Sequence, residues 1–341
     1  MQHSFVGGLA IVLAAGIFQG SFMFPSKWMK DWAWENYWLI FAAVAYLISP
    51  WVLALVTVRQ LALVYAGTGA GTFATILLFG LAWGLGALTF GLGIEAVGLA
   101  LGFAVILGVA ASAGAVIPLI VRPPQHITAT QIGVTIIAII IMLAGVSVCS
   151  FAGRWKEALP TEKRQSYAAG IALCVGSGLL SSCGNLGFVF GSDVASLAER
   201  LGTPSYLAGN AVWTLLAIPL FLCNGGYSAI LLLRNRTAAC YGAPGSGRKA
   251  FLAFLMGAMW MAGISLYGIG ARHMGAMGAS VGWAVLMSSM VLVANILGMA
   301  SGEWTGAPAQ SRRGLMAGLA LLLISIAALG YTNHLASQAG A

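Results

Sequence analysis

The side chains that could bind a ligand in this chain are aromatic rings and neutral amides. Trp83 and Trp260 lie in the middle of long apolar runs, where an indole face can stack on a ring-shaped ligand. Five amides also lie within or near such runs and can exchange hydrogen bonds with hydroxyl groups: Gln19, Asn185, Asn210, Asn224 and Asn295. Aromatic faces with a few neutral hydrogen-bonding groups would suit a small sugar.

Each of these residues also has a purely structural interpretation. Aromatic packing accounts for the tryptophans as readily as ligand stacking does. Interhelical hydrogen bonds account for the amides, because an unpaired amide is costly in lipid. Among the amides we favour Gln19 and Asn185 for substrate contact, because they lie in similar register on the first and sixth apolar runs. Asn210 and Asn295 come second, and Asn224 comes last.

Charged candidates lie at the ends of the apolar runs. Lys27 and Glu35 flank the first connection and could form a gate pair, with a solvated interfacial pair as the alternative. Glu35 and Glu95 each adjoin a run that should line a central cavity, so one of them would carry a proton if transport is coupled to protons. The sequence offers no metal-ligand cluster, phosphate-binding loop or catalytic triad, so we expect neither an enzyme nor a cofactor.

Composition indicates that these residues are set in a membrane protein. Of the 341 residues, 60% are hydrophobic and 7% are charged, against about 25% charged in soluble domains. Ten apolar segments are long enough to span a bilayer: 6–24, 37–58, 73–94, 97–121, 131–152, 167–190, 205–233, 250–270, 276–300 and 314–331. The net charge of +8 orients these segments and does not indicate nucleic-acid binding.

Basic residues predict the orientation of the ten segments. Twelve of the 16 Lys and Arg residues lie in the odd-numbered connections and four lie in the even-numbered ones. Because cytoplasmic loops carry the excess of Lys and Arg, the odd connections should be cytoplasmic. Both termini would then be periplasmic, in a multi-pass protein of the bacterial inner membrane.

The two halves of the chain repeat one pattern. Gly80, Trp83, Gly86, Phe90, Gly91 and Gly93 recur with identical spacing as Gly257, Trp260, Gly263, Tyr267, Gly268 and Gly270, 177 residues later. The segment that begins at Gly98 recurs at Gly278, and it pairs Phe103 with Trp283. Tyr267 and Trp283 therefore join the candidate substrate-binding residues.

A repeat unit of five helices must insert its two copies with opposite orientation. The sequence thus predicts an all-α membrane protein of ten transmembrane helices in two inverted-topology repeats, residues 1–155 and 156–341. Inverted repeats are typical of transporters, whose substrate site lies near the midplane between the repeats.

The sequence resembles the L-rhamnose–proton symporter family within the drug/metabolite transporter superfamily. The resemblance runs end to end and is carried by the segment from Pro25 through Trp38 to Trp51, by the glycine-rich third and fourth segments, and by Asn185, Trp260, Tyr267, Trp283 and Glu303–Trp304. It implies a transporter that takes up a deoxysugar, such as rhamnose or fucose, with a proton as possible co-substrate. We expect the chain to act as a monomer.

The sequence departs from that family where selectivity should reside. The resemblance implies polar residues near Ala87 and Gly263 and an acidic residue near Ala279, whereas these positions are small and apolar here. Gln19 is a further difference. The alternatives are an uncoupled sugar facilitator and an exporter of drugs or metabolites, although exporters of cations usually carry a buried carboxylate.

Overall fold

A computed structural model describes residues 5–123, 127–157 and 167–339. Within this part, ten helices are long and apolar enough to cross a membrane, which confirms the predicted number. They are α1 (Phe5–Ser21), α2 (Trp34–Thr57), α3 (Ala70–Val97), α4 (Leu99–Val121), α5 (Ala129–Glu157), α6 (Tyr167–Phe190), α7 (Asn210–Asn235), α8 (Ser246–His273), α9 (Gly278–Ala300) and α10 (Ala309–Ala339).

Short helical segments join or interrupt these ten helices. A 3₁₀ turn, Phe24–Trp28, follows α1, and a second one, Thr237–Gly242, follows α7. Short helices Leu61–Ala66, Ser192–Arg200 and Ser205–Ala208 occupy two further connections. Within α2 the residues Ala43–Ile48 form a wider π-helical segment. Pro50 lies two residues after this segment and cannot donate a backbone hydrogen bond, so the α-helical pattern is interrupted at this point.

The helices pack in matched pairs. Helix α1 packs against α8 and α9, while α6 packs against α3 and α4. Likewise α2 packs against α8, and α7 packs against α3. Helices α5 and α10 pair with each other, as do α4 and α9. When each of the first five helices is exchanged for its counterpart in the last five, the α1 and α2 contacts become the α6 and α7 contacts, and the pairs α4–α9 and α5–α10 map onto themselves.

Glycine permits the closest of these approaches. A Cβ atom built on Gly8 would lie 2.9 Å from the carbonyl oxygen of Gly270, and one built on Gly270 would lie 2.8 Å from the carbonyl oxygen of Gly8. Neither position has room for a side chain, so α1 and α8 meet backbone to backbone. Small residues serve this purpose at helix interfaces in membranes.

Contacts between connections divide the molecule into two faces. On the first, which we call the odd face, Lys27 forms an ion pair with Glu303 and Lys249 forms one with Asp31. On the other, the even face, the Arg122 side chain donates to Ser192 Oγ (2.6 Å). The even face also holds the Arg272–Glu199 ion pair at 3.0 Å. Odd-numbered connections therefore meet one another, and even-numbered connections do the same.

Candidate functional site

An aromatic cluster lies where α3, α7 and α8 meet. We use this name for Tyr46, Trp83, Phe188, Trp213, Trp260, Tyr267 and Trp283, which form a continuous series of ring contacts. The ring centroids of Trp83 and Trp260 are 5.6 Å apart, with 35° between the ring planes. The two tryptophans singled out from the sequence thus contact each other across the interface between the halves.

Small neighbours and an edge-on tyrosine position these two rings. The Trp83 ring lies against Gly184 of α6, where a Cβ atom would approach it to 2.7 Å. Tyr46, which belongs to the π-helical segment of α2, meets Trp260 edge to face at 4.8 Å. The rings therefore come from helices of both halves and depend on closely packed backbones for their orientation.

Gln19 is the candidate amide that lies next to the tryptophan pair. Its side chain is 6% exposed, and its Nε2 donates to the Trp260 carbonyl oxygen at 2.7 Å. A Cβ atom on Gly263 would lie 2.8 Å from this Nε2, so the amide fills the space that a side chain at position 263 would take. Among the described residues, no donor reaches the Gln19 Oε1 acceptor.

Asn185 makes three hydrogen bonds within the protein. Its Nδ2 donates to the carbonyl oxygens of Gly114 (2.8 Å) and Ala279 (3.0 Å), and its Oδ1 accepts from the Tyr267 hydroxyl. The same hydroxyl also reaches the Ala279 carbonyl oxygen at 2.9 Å. The indole of Trp283 donates to the Ala110 carbonyl oxygen at 3.1 Å. These bonds connect α4, α6, α8 and the start of α9.

The remaining amides also make bonds within the protein. Asn210 donates to Thr57 Oγ1 and accepts from Ser265 Oγ, both at 2.9 Å, which connects α7 with α2 and α8. Asn295 Nδ2 donates to the Val291 carbonyl oxygen of its own helix at 2.8 Å. Asn224 binds its own helix in the same way. Whether any of these amides contacts a substrate stays a prediction.

The predicted pairing of Lys27 with Glu35 is wrong. Lys27 lies in the turn that contains Pro25, and this turn brings its ammonium group to Glu303 and to Ser301 Oγ (2.5 Å) at the end of α9. Glu35 instead accepts hydrogen bonds from Asn235 Nδ2 at 3.0 Å and Thr237 Oγ1 at 2.9 Å. Each residue therefore joins the first half to a different connection of the second half.

Glu35 and Glu95 differ in their surroundings. The side chain of Glu35 is 4% exposed, while that of Glu95 is exposed near the end of α3. Twelve residues separate Glu95 from Trp83 on that helix, a rise of about 18 Å. Of the two candidates, only Glu35 is a buried carboxylate. On the same face, the hydrogen bond from Lys249 holds the pKa of Asp31 below its usual value.

Trp213 is a member of the cluster that the sequence analysis did not select. It lies three residues after Asn210 in α7, and its ring stacks on Phe188 with centroids 4.5 Å apart. It falls outside the patterns by which the halves were aligned. The sequence feature that could have identified Trp213 is its position one helical turn after the amide Asn210.

Two other features of the described residues bear on chemistry. No three His, Cys, Asp or Glu side chains in that part of the chain come together to hold a metal ion.

An apolar groove of about 510 Å³ lies between α1, α2 and α8, lined by residues such as Phe18, Val52 and Met261. Val52 and Phe254 on its walls are exposed, so the groove opens toward the side of the bundle.

Ten apolar helices packed around aromatic and amide contacts define a multi-pass membrane protein. Its sequence matches the family described as L-rhamnose-proton symport protein (RhaT) over residues 1–335. The chain belongs to this family of sugar–proton symporters, as the resemblance indicated. It is therefore a transporter-family protein and not an enzyme.

Relatives match along almost the whole chain. The chain is 24% identical over 339 residues to the L-rhamnose-proton symporter of Klebsiella pneumoniae strain 342, covering 97% of this chain and 98% of the relative. It is 26% identical over 325 residues to that of Mannheimia succiniciproducens, covering 92% and 94%. A solved crystal structure that is 11% identical superposes with a TM-score of 0.56, covering 95% of this chain and 96% of the other. This last likeness concerns the fold alone.

Proposed function

We propose that the protein carries a small sugar, a deoxyhexose of the L-rhamnose or L-fucose type, across the bacterial inner membrane by alternating access. The observation that carries the proposal is the contact between Trp83 and Trp260 at the interface of the halves, with Gln19 beside it. Indole faces suit the apolar faces of a sugar ring, and a free amide oxygen suits a hydroxyl group. The relatives, whose names describe L-rhamnose-proton symporters, support this choice of substrate class.

The separation of the two indoles sets the movement that binding requires. A ring held between two aromatic faces needs about 7–8 Å between them, which is twice the optimal contact distance of 3.5–4.0 Å. The Trp83 and Trp260 centroids are 5.6 Å apart. The conformation described here is therefore closed at this point, and the rings must separate by about 2 Å to hold a sugar between them.

The position of Gln19 bears on selectivity. The family resemblance implies a polar residue near position 263, where this chain has glycine. The Gln19 amide reaches into that space from α1, so a hydrogen-bonding group is retained but comes from a different helix. We propose that Gln19, Trp83 and Trp260 contact the sugar. Asn185 and Tyr267 hold the surrounding helices in place.

The proposed transport cycle uses the two halves, residues 1–155 and 156–341, as inverted repeats. The exchange symmetry of the helix contacts supports this organisation. So do the polar links at the odd face, because Lys27–Glu303, Asp31–Lys249 and the bonds of Glu35 all join one half to the other. We propose that these links open when the carrier faces the cytoplasm.

Charge supports the orientation. Ten of the described Lys and Arg residues belong to the odd-numbered connections, and four belong to the even-numbered ones. By the positive-inside rule the odd face is cytoplasmic and both termini are periplasmic. We propose that a single chain is the working unit, since both halves of the site come from one chain.

Proton coupling is the proposed energy source, with Glu35 as the carrier of the proton. It is a buried carboxylate that joins the halves, and its two side-chain partners, Asn235 and Thr237, are neutral. An uncoupled facilitator is the second candidate. One observation favours it: Glu35 begins α2, so no described carboxylate lies beside the aromatic cluster at mid-helix.

Uptake into proteoliposomes tests the proposal. Purified protein is reconstituted, and exchange of radiolabelled L-rhamnose and L-fucose is measured against D-glucose and D-ribose, with protein-free vesicles as the control. We expect exchange of at least one deoxyhexose and competition by its unlabelled form. Exchange of neither L-rhamnose nor L-fucose, by protein that remains folded, would refute the proposed function.

A further inference from the structure

The indole N–H of Trp213 is a buried hydrogen-bond donor without an acceptor. The side chain is 2% exposed, and its Nε1 has no hydrogen-bond partner among the described residues. Buried polar groups in folded proteins are nearly always paired, and each exception calls for an explanation. An unmade bond is especially costly away from water. A donor in this state is available to an acceptor that the protein itself does not supply.

The surroundings hold this donor in place. The Trp213 ring stacks on Phe188 with 6° between the planes, so the indole cannot turn without losing that contact. A Cβ atom built on Gly268 of α8 would lie 2.7 Å from Nε1. The indole nitrogen therefore lies in a notch on α8 that exists because residue 268 is glycine.

The donor also lies beside the proposed substrate site. The Trp213 ring is 6.4 Å from Trp83 and 6.1 Å from Tyr267, centroid to centroid. The Gly268 notch and the Gly263 position occupied by Gln19 are on the same helix, five residues or about 7.5 Å of helical rise apart. Any movement of α8 that separates Trp260 from Trp83 also moves Gly268 relative to Trp213.

Trp283 provides the internal comparison. It belongs to the same cluster and is equally buried, at 2% exposed, but its N–H donates to the Ala110 carbonyl oxygen at 3.1 Å. Of these two equally buried tryptophans, Trp283 uses its donor within the protein, whereas the Trp213 donor has no partner among the described residues. Aromatic packing alone requires no such difference.

We infer that the Trp213 N–H donates a hydrogen bond to a hydroxyl oxygen of the transported sugar once Trp83 and Trp260 have separated. This inference rests on the proposed function and adds a specificity-determining residue to it. The ligand class is a neutral polyhydroxylated ring with one acceptor oxygen placed over the Gly268 notch.

The test compares Trp213→Phe with Trp283→Phe in purified protein, with two readouts. Thermal unfolding reports stability, and titration of tryptophan fluorescence reports the dissociation constant of the sugar exchanged by the wild type. Trp213→Phe loses ring volume but also removes a costly unpaired donor, whereas Trp283→Phe loses ring volume and a hydrogen bond. We expect Trp283→Phe to be the less stable variant and Trp213→Phe to be the weaker binder, by about tenfold.

A series of singly deoxygenated sugars makes the test specific. For one hydroxyl, removal should weaken wild-type binding and leave Trp213→Phe binding unchanged, because the partner of that hydroxyl is already gone. If Trp213→Phe fails to fold, benzothienylalanine at position 213 keeps the ring size and replaces N–H with sulfur. The inference would be overturned if Trp213→Phe bound the sugar with wild-type affinity. It would also be overturned if Trp213→Phe weakened the binding of every sugar in the series by the same factor. A wild type that binds no sugar would instead refute the proposed function, and this inference with it.

Discussion

Removing Gln19 and Asn185 separately should have opposite consequences for stability and for sugar binding. Both amides are buried, and the sequence alone ranks them together. Asn185 makes three hydrogen bonds inside the protein, whereas Gln19 makes one and leaves its Oε1 free. The perturbations are Gln19→Ala and Asn185→Ala.

The structure sets the expected magnitudes. Hydrogen bonds between membrane helices average about 0.6 kcal/mol in double-mutant cycles. Losing three bonds in Asn185→Ala should therefore cost about 2 kcal/mol of unfolding free energy, and losing one in Gln19→Ala about 0.6 kcal/mol. For sugar binding the order reverses. A substrate bond made by the free Oε1 is worth about 0.5–1.5 kcal/mol, so Gln19→Ala should weaken affinity about two- to tenfold.

The assays are equilibrium unfolding in mixed detergent micelles and fluorescence titration with the sugar that the wild type exchanges. Asn185→Ala should shift the unfolding midpoint strongly and leave the dissociation constant nearly unchanged. Tyr267→Phe serves as the matched control, because it removes only the hydroxyl that donates to Asn185 and also lies 2.9 Å from the Ala279 carbonyl oxygen. If Asn185→Ala is as stable as the wild type and no longer binds sugar, the assignment of Asn185 to helix positioning is refuted.

Three further predictions concern the aromatic pair, the orientation and the coupling. Trp83→Ala and Trp260→Ala should each weaken sugar binding by about two- to tenfold, since an aromatic contact contributes about 0.5–1.5 kcal/mol beyond the area it buries; unchanged titration curves in folded variants would assign both rings to packing. A reporter that is active only in the cytoplasm, fused after Ala341, should be silent, and strong activity would reverse the orientation. Glu35→Gln should abolish accumulation driven by an inward proton gradient in vesicles while leaving sugar exchange in place; if wild-type accumulation ignores the gradient, the protein is a facilitator and Glu35 only ties the halves together.

Much of the fold follows from the sequence because the bilayer constrains it strongly. A backbone inside lipid must satisfy its own hydrogen bonds, so an apolar run of about 20 residues in such a chain is expected to form a helix. That is why all ten predicted segments fall on helices whose ends differ by up to five residues, except that α10 continues eight residues beyond its predicted end. The Trp83–Trp260 contact joins two residues at matching positions of the repeated sequence pattern. Matching positions alone did not predict it, because the other matched aromatic residues contact partners within their own half, Phe90 with Phe103 and Tyr267 with Trp283.

The hydrogen-bond partners could not be predicted in the same way. Asn185 is saturated partly by the backbone carbonyls of Gly114 and Ala279, and every residue has such a carbonyl, so no side-chain pattern reveals which are used. Lys27 and Glu35 are neighbours in sequence, yet their partners lie 200 or more residues away. Charged residues pair according to which loops the helix packing brings together. Proximity in sequence is therefore a poor guide to their partners.

The closed cluster and the linked faces together constrain how the carrier could move. Polar contacts join the two halves at the odd face through Lys27–Glu303 and at the even face through Arg122–Ser192, while Trp83 and Trp260 touch between them. Opening either face must break its links, and exposed ion pairs contribute only about 0–1 kcal/mol each. Because these links are weak, the two faces can open in turn at a small cost in free energy. The contact of the two indoles is the costlier one to lose, so a ligand that replaces it by stacking between the rings would offset the cost of opening and couple binding to the conformational change.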